Sequence, residues 1–135
     1  MFLQPKKYKY KKPHKNRLKL INYKSNQISF GNIALQSCES GFISAKQIEA
    51  ARQSISRKIQ RKGKIWIRIF PHLSITKKPT EIRMGKGKGQ ISHWSAKIKA
   101  GTILFEVSGS TIQKSILALN TGGAKFSIRT KIIKN

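Results

Sequence analysis

The clearest hydrophobic pattern lies in SAKQIEAARQSISRKIQRKG, residues 44–63, where Ile48, Ala51, Ile55 and Ile59 recur on one narrow stripe at helical spacing. Lys46, Gln53, Arg57 and Arg61 fall on the opposite side. Ser44 with Gln47 reads as a capping box and Gly63 as the stop. The next segment, KIWIRIFP, changes period. Ile65, Ile67 and Ile69 alternate with Trp66, Arg68 and Phe70, which predicts a strand apolar on both faces and ended by Pro71. Upstream, QISFGNIALQS predicts a strand in which Gly31 is a bulge that switches the alternation between Ile28/Phe30 and Ile33/Leu35. A turn at 39–41 follows.

Downstream, ISHWSAKIK and TILFEV predict two strands joined at Ala100 and Gly101. A second helix is expected from Ser110, capped by Gln113, burying Ile112, Ile116 and Leu119 and stopped by Gly122 and Gly123. AKFSIRTKII supplies a closing strand. This order of elements predicts a single α+β domain over 27–135, with a largely antiparallel sheet and two helices packed on it.

Two stretches escape both periods. Residues 1–26 contain no acidic residue, carry Pro5 and Pro13, and alternate Tyr8 and Tyr10 with Lys7, Lys9 and Lys11. The prolines disfavour helix, so an extended basic arm is expected. Its lysines suit phosphates and its tyrosines suit bases or ribose; a solvated tail is the plain alternative. Residues 74–90 read as a long loop rich in glycine and lysine, and long loops in compact domains are usually functional.

Composition sharpens the picture. The chain of 135 residues has 29 Lys plus Arg against four acidic residues, a net charge of +25. Like charges repel within a Debye length of ~8 Å at physiological salt, so a polyanionic partner is expected, and nucleic acid first. No basic amphipathic helix with bulky aromatics argues for a membrane surface, and no apolar run approaches the ~20 residues of a membrane span. The start lacks the apolar region of a secretory signal and, being lysine-rich and broken by prolines, departs from transit-peptide composition. A single cysteine, Cys38, excludes an internal disulfide and a cysteine-based zinc cage.

The segment EIRMGKGKGQ, 81–90, raises the possibility of a nucleotide-binding loop. A Walker loop needs Gly-Lys followed by Ser or Thr, but Gly85-Lys86 and Gly87-Lys88 are each followed by glycine. G-x-G-x-x-G fails because position 90 is glutamine. Phosphoryl transfer also needs carboxylates for metal, and the chain has no aspartate and four scattered glutamates. His14, His72 and His93 lack metal-ligand spacing, and nothing supports a Cys38–His93 dyad. No enzyme, cofactor or small-molecule substrate is expected. What remains is direct phosphate contact: glycines admit close backbone approach, Arg83 forks onto a phosphate or a guanine edge, and Lys86 and Lys88 act as point charges. The basic face carrying Arg57 and Arg61 fits the same use.

In this order, LQPKKYKYKKPHK, SFGNIALQS, QIEAAR, GKIWIRIFP, ITKKP, RMGKGKG and HWSAKIKAGTILFEVSG resemble the L-sixteen family of large-subunit ribosomal proteins of bacteria and organelles, over almost the whole chain. The resemblance implies an α/β-hammerhead type of fold bound to large-subunit ribosomal RNA near the peptidyl transferase centre. It implies a role beside A-site and P-site transfer RNA and neighbouring ribosomal proteins, without chemistry. By that likeness Arg83, Met84, Gly85, Lys86, Gly87, Lys88 and Gly89 form the loop that reaches the functional centre. Lys6, Lys7, Lys9, Lys11, Lys12, Lys15 and Arg17 of the arm, with Arg52, Arg57, Arg61 and Arg68, face ribosomal RNA. Departures occur at Phe42 and Gln53, where the family usually has arginine, and at Ser127, where it usually has proline. The Ser37–Gly41 turn looks closest to mitochondrial members, so a mitochondrial ribosome is expected, with plastid or bacterial cytoplasm as alternatives. A sequence-tolerant architectural nucleic-acid binder outside the ribosome is the competing reading.

Overall fold

A computed structural model describes residues 3–16, 18 and 21–134. The elements are β1 Ile33–Ser37, β2 Gly41–Ser44, α1 Ala45–Lys58, β3 Lys64–Ile67, β4 Leu73–Lys77, β5 Gln90–Ile98, β6 Ile103–Ser108, α2 Ile112–Gly123 and β7 Thr130–Lys134. The strands form two antiparallel sheets, ordered β3-β6-β1-β7 and β2-β5-β4. The two helices pack on each other, α2 against β1, β6 and β7 and α1 chiefly against β2 and β5. One core runs through the whole, with Ile48 and Ile55 from α1, Leu119 from α2, Leu35 and Phe105 from the larger sheet, and Ile98 from the smaller. The α+β expectation holds, with two sheets in place of one.

The first helix forms as its sequence dictates. Ser44 accepts from the Gln47 amide, Gln47 reaches back to the Ser44 amide, and Ile48, Ala51, Ile55 and Ile59 are buried. It ends earlier than expected. Gln60 and Arg61 turn into the left-handed region at φ 56° and 59°, so the helix stops at Lys58 and Gly63 lies beyond it.

Four other local expectations are corrected. Gly31 precedes β1 and is no bulge within it; the register shift lies between Leu35 and Gln36. An alanine Cβ at 31 would lie 2.8 Å from the Val107 carbonyl oxygen, so glycine there permits close backbone approach. Residues 73–77 form β4, so the hairpin loop is 78–89 and shorter than expected. The short strand β2 begins at Gly41, within the expected 39–41 turn. In α2 the cap is Thr111 without a side-chain bond, Ile112 is 60% exposed, and the buried stripe is Ser115, Ala118, Leu119, Gly122 and Gly123.

Those last two glycines are packing residues inside the helix. A Cβ on Gly122 would meet Ile55 Cγ1 at 2.6 Å, and one on Gly123 would meet Thr130 Oγ1 at 2.7 Å. Their lack of side chains lets α2 lie close to both α1 and β7.

Candidate nucleic-acid interface

The β4–β5 hairpin carries the predicted loop outward. Every residue from Glu81 to Lys88 is exposed, Met84 to 98%. Gly85, Lys86 and Gly87 follow one another at φ 95°, 52° and 83°. A Cβ on Gly85 or Gly87 would meet nothing within 4 Å, so these glycines serve backbone conformation rather than space. The Lys78 ammonium donates to the Gly85 carbonyl and draws the tip back toward β4. Arg83, Met84 and Lys86 make no hydrogen bond to the described residues and face outward.

The arm is laid along the smaller sheet. Ser74 Oγ donates to the Lys11 carbonyl at 2.8 Å, and the Tyr8 ring packs against Trp94 with centroids 5.4 Å apart. Arm and loop then clasp each other: Lys12 Nζ donates to the Lys88 carbonyl at 2.9 Å, and Lys88 Nζ donates to the Pro13 carbonyl at 2.7 Å. Lys6, Lys7, Lys9, Lys11, Lys12 and Lys15 are all exposed, and Lys9 sits over the Tyr10 ring at 5.5 Å. Arg17 lies outside the described residues. The arm's trailing end is fixed by the Asn22 amide on the Ala100 carbonyl and the Ile103 amide on the Ser25 carbonyl. Because the hairpin loop and the arm share this clasp, the two regions singled out in sequence form one cationic surface.

A second basic region lies along α1 and the turn after it, where Arg52, Arg57 and Arg61 line one shallow concavity, and Arg57 and Lys58 line its neighbour with Lys125 from beyond α2. Arg52 is engaged there by Glu49, with bonds of 3.0 and 2.7 Å. The Arg52 hydrogen bond is the main reason the Glu49 carboxyl sits below its usual range, and Glu49 in turn raises Arg52.

Arg68 turns inward. Its guanidinium bonds the fully buried Glu106 of β6 and lies 5.0 Å from the Phe30 ring centroid. Glu106 also accepts the amides of Ser29 at 3.3 Å, Phe30 at 2.6 Å and Gly31 at 2.8 Å. Burial would push this carboxyl up, but the Phe30, Gly31 and Ser29 amides and Arg68 outweigh it, so it sits below its usual range. Sequence reasoning missed this cluster of Phe30, Arg68 and Glu106. One signal was available: a lone glutamate inside the otherwise apolar strand TILFEV needs buried partners.

No group of three potential metal ligands occurs among the described residues, and no hydrogen bond there joins Cys38 to His93. No helix among them is long and apolar enough to cross a membrane.

The described residues form a cationic α+β domain with an arm and a hairpin loop clasped together. Known proteins make this specific. Residues 5–133 match the family described as Ribosomal protein L16p/L10e. The chain is 48% identical over 131 residues to the large ribosomal subunit protein uL16 of Borreliella burgdorferi, covering 97% of this chain and 95% of that one. It is 42% identical over 132 residues to uL16 of Rhizobium rhizogenes, covering 98% and 96%. The chain therefore belongs to the L16 family of large-subunit ribosomal proteins, a structural and non-enzymatic component of that subunit.

Proposed function

We propose that this chain binds large-subunit ribosomal RNA near the peptidyl transferase centre and helps position A-site and P-site transfer RNA, with no chemistry of its own. The observation that carries the reading is the clasp of Lys12 and Lys88, which holds the arm at Lys12 and Pro13 beside the exposed tip Arg83–Lys88. In the proposal the arm threads into RNA with Lys6, Lys7, Lys9, Lys11, Lys12 and Lys15 on phosphates. Arg57 and Arg61 hold a second stretch of backbone. Arg83, Met84 and Lys86 reach the transfer RNA side, and neighbouring ribosomal proteins pack around the domain. Arg52 meets RNA with its charge already shared with Glu49, and Arg68, turned inward onto Glu106, supports the RNA-facing surface from beneath.

The Ser37–Gly41 turn supports the mitochondrial ribosome as the particle, and the relatives named above are bacterial. Tagged protein should sediment with large subunits and remain there in moderate salt. Recovery in ribosome-free fractions refutes the proposal, and the organelle that yields the particles decides the compartment. With ~10 phosphate contacts, affinity for isolated ribosomal RNA should fall by about 10⁴- to 10⁵-fold between 50 and 200 mM salt. Equal affinity for duplex DNA would favour an architectural binder outside the ribosome.

A further inference from the structure

Phe30 is anchored through its backbone and left largely bare. Its amide and those of its two neighbours are fixed on the buried Glu106 carboxylate. Trp66 and Arg68 lie two residues apart in an extended segment: Trp66 is paired across the sheet with Glu106, and the Arg68 amide continues the ladder to the Leu104 carbonyl. The Phe30 ring lies across both, stacked on Trp66 with centroids 6.2 Å apart at 19° and 5.0 Å from the Arg68 guanidinium carbon. Even so, 60% of Phe30 remains exposed.

An apolar ring on the surface is ordinary; one anchored by three backbone bonds and underlaid by an indole and a guanidinium is a preformed stacking surface. Ordering it costs less on binding, because Glu106 has already fixed the backbone that carries it. The geometry points to a binding platform in which the open face of Phe30 takes an unpaired nucleobase of RNA, with Trp66 and Arg68 as its support. RNA is favoured over an apolar protein partner because the chain carries +25 and its cations are outward on the arm, the hairpin and α1. Nucleobases splayed from loops and bulges stack on such aromatic and guanidinium planes. Arg68 thereby gains a role different from a phosphate contact: it positions the ring. This inference rests on the RNA-binding reading above and adds a site to it.

The test uses the full chain, with single-stranded oligoadenylate as probe. Phe30→Leu should weaken binding by about 5- to 150-fold, the range of one base–aromatic stack. Phe30→Trp should restore affinity. The Phe30→Leu loss should leave the slope of affinity against salt unchanged, since no phosphate contact is removed, whereas Lys86→Ala should lower that slope by about one. Unchanged affinity of Phe30→Leu for oligoadenylate, with a steep salt slope retained, overturns the platform and leaves the RNA reading standing. Absence of all RNA binding overturns both. If Phe30→Leu loosens the protein from the large subunit without altering oligoadenylate affinity, the ring meets a neighbouring protein and the inference fails. Should Phe30→Leu not fold, Phe30→Trp in a chain with Trp66→Phe and Trp94→Phe decides: a base stacked on the platform quenches that single indole, and no quenching at saturating oligonucleotide sinks the platform.

Discussion

The Phe30 amide donates to Glu106 Oε2 at 2.6 Å, which ties the segment after the basic arm to the middle of the larger sheet. The same carboxylate holds Arg68, so one buried anion organises two chain segments that are far apart in sequence. Glu106→Gln keeps the shape but places an amide NH₂ among donors and leaves Arg68 without its counter-charge. It should destabilise the protein by about 3–5 kcal/mol in denaturant unfolding, as breaking a buried pair does. A cost below about 1 kcal/mol would show that water satisfies the site.

Acid should weaken the fold through the same group. The Glu106 carboxyl sits below its usual range in the folded chain, so the unfolded chain takes up the proton first. Its stabilisation is complete above the unfolded-state value of about 4.3 and is lost as pH falls from there through the folded-state value. Glu49, held down by Arg52, acts with the same sign but at a more exposed site. Melting temperature followed from pH 6 to pH 2 at constant ionic strength should fall below about pH 4.3. Glu106→Gln should flatten most of that fall; an equally steep profile in the variant would count against Glu106 as its source.

Gly122→Ala should reveal how tightly the helices pack. The new methyl would lie 2.6 Å from Ile55 Cγ1, inside a core where Ile55 is fully buried and has nowhere to move. Overpacking of this kind costs about 1–3 kcal/mol. Ile55→Ala should cost about 2–5 kcal/mol by cavity formation. Combining the two should cost less than their sum, because the smaller side chain makes room for the methyl. Additivity in calorimetry would place the strain elsewhere.

The loop should separate function from stability. Lys86→Ala with Lys88→Ala removes no core contact, so melting temperature should stay within a degree or two while transfer RNA accommodation on reconstituted subunits slows. Lys88→Ala alone also opens one half of the clasp. Trypsin should then cut at the arm lysines faster than in the parent chain. Loss of stability like that of Ile55→Ala would mean the loop is structural.

How much was legible in the sequence followed from the range of the forces involved. Helix α1 could be read almost to its last turn because Ser44, Gln47 and the isoleucine stripe are local signals. Its end was misplaced because Gln60 and Arg61 adopt a conformation that glycine at 63 would have supplied more cheaply. The role of Gly122 and Gly123 was misread for the opposite reason: glycine at a helix end usually signals a stop, and only the approach of Ile55 and Thr130 shows another cause. ISHWSAKIK and TILFEV were recognised as strands, but alternation cannot tell which sheet each joins. Among candidate site residues, Arg83, Lys86 and Lys88 stood out because lysine and glycine alternate there. Arg68 was counted with the outward cations because nothing in KIWIRIFP tells that a glutamate nearly forty residues later will take its charge.

In the clasp, both acceptors are main-chain carbonyls, at Pro13 and Lys88, so no substitution can delete them. Only the two ammonium groups are open to genetic change. A suppressor selected against loss of Lys88 would therefore have to supply a new long donor from either segment, rather than a new acceptor.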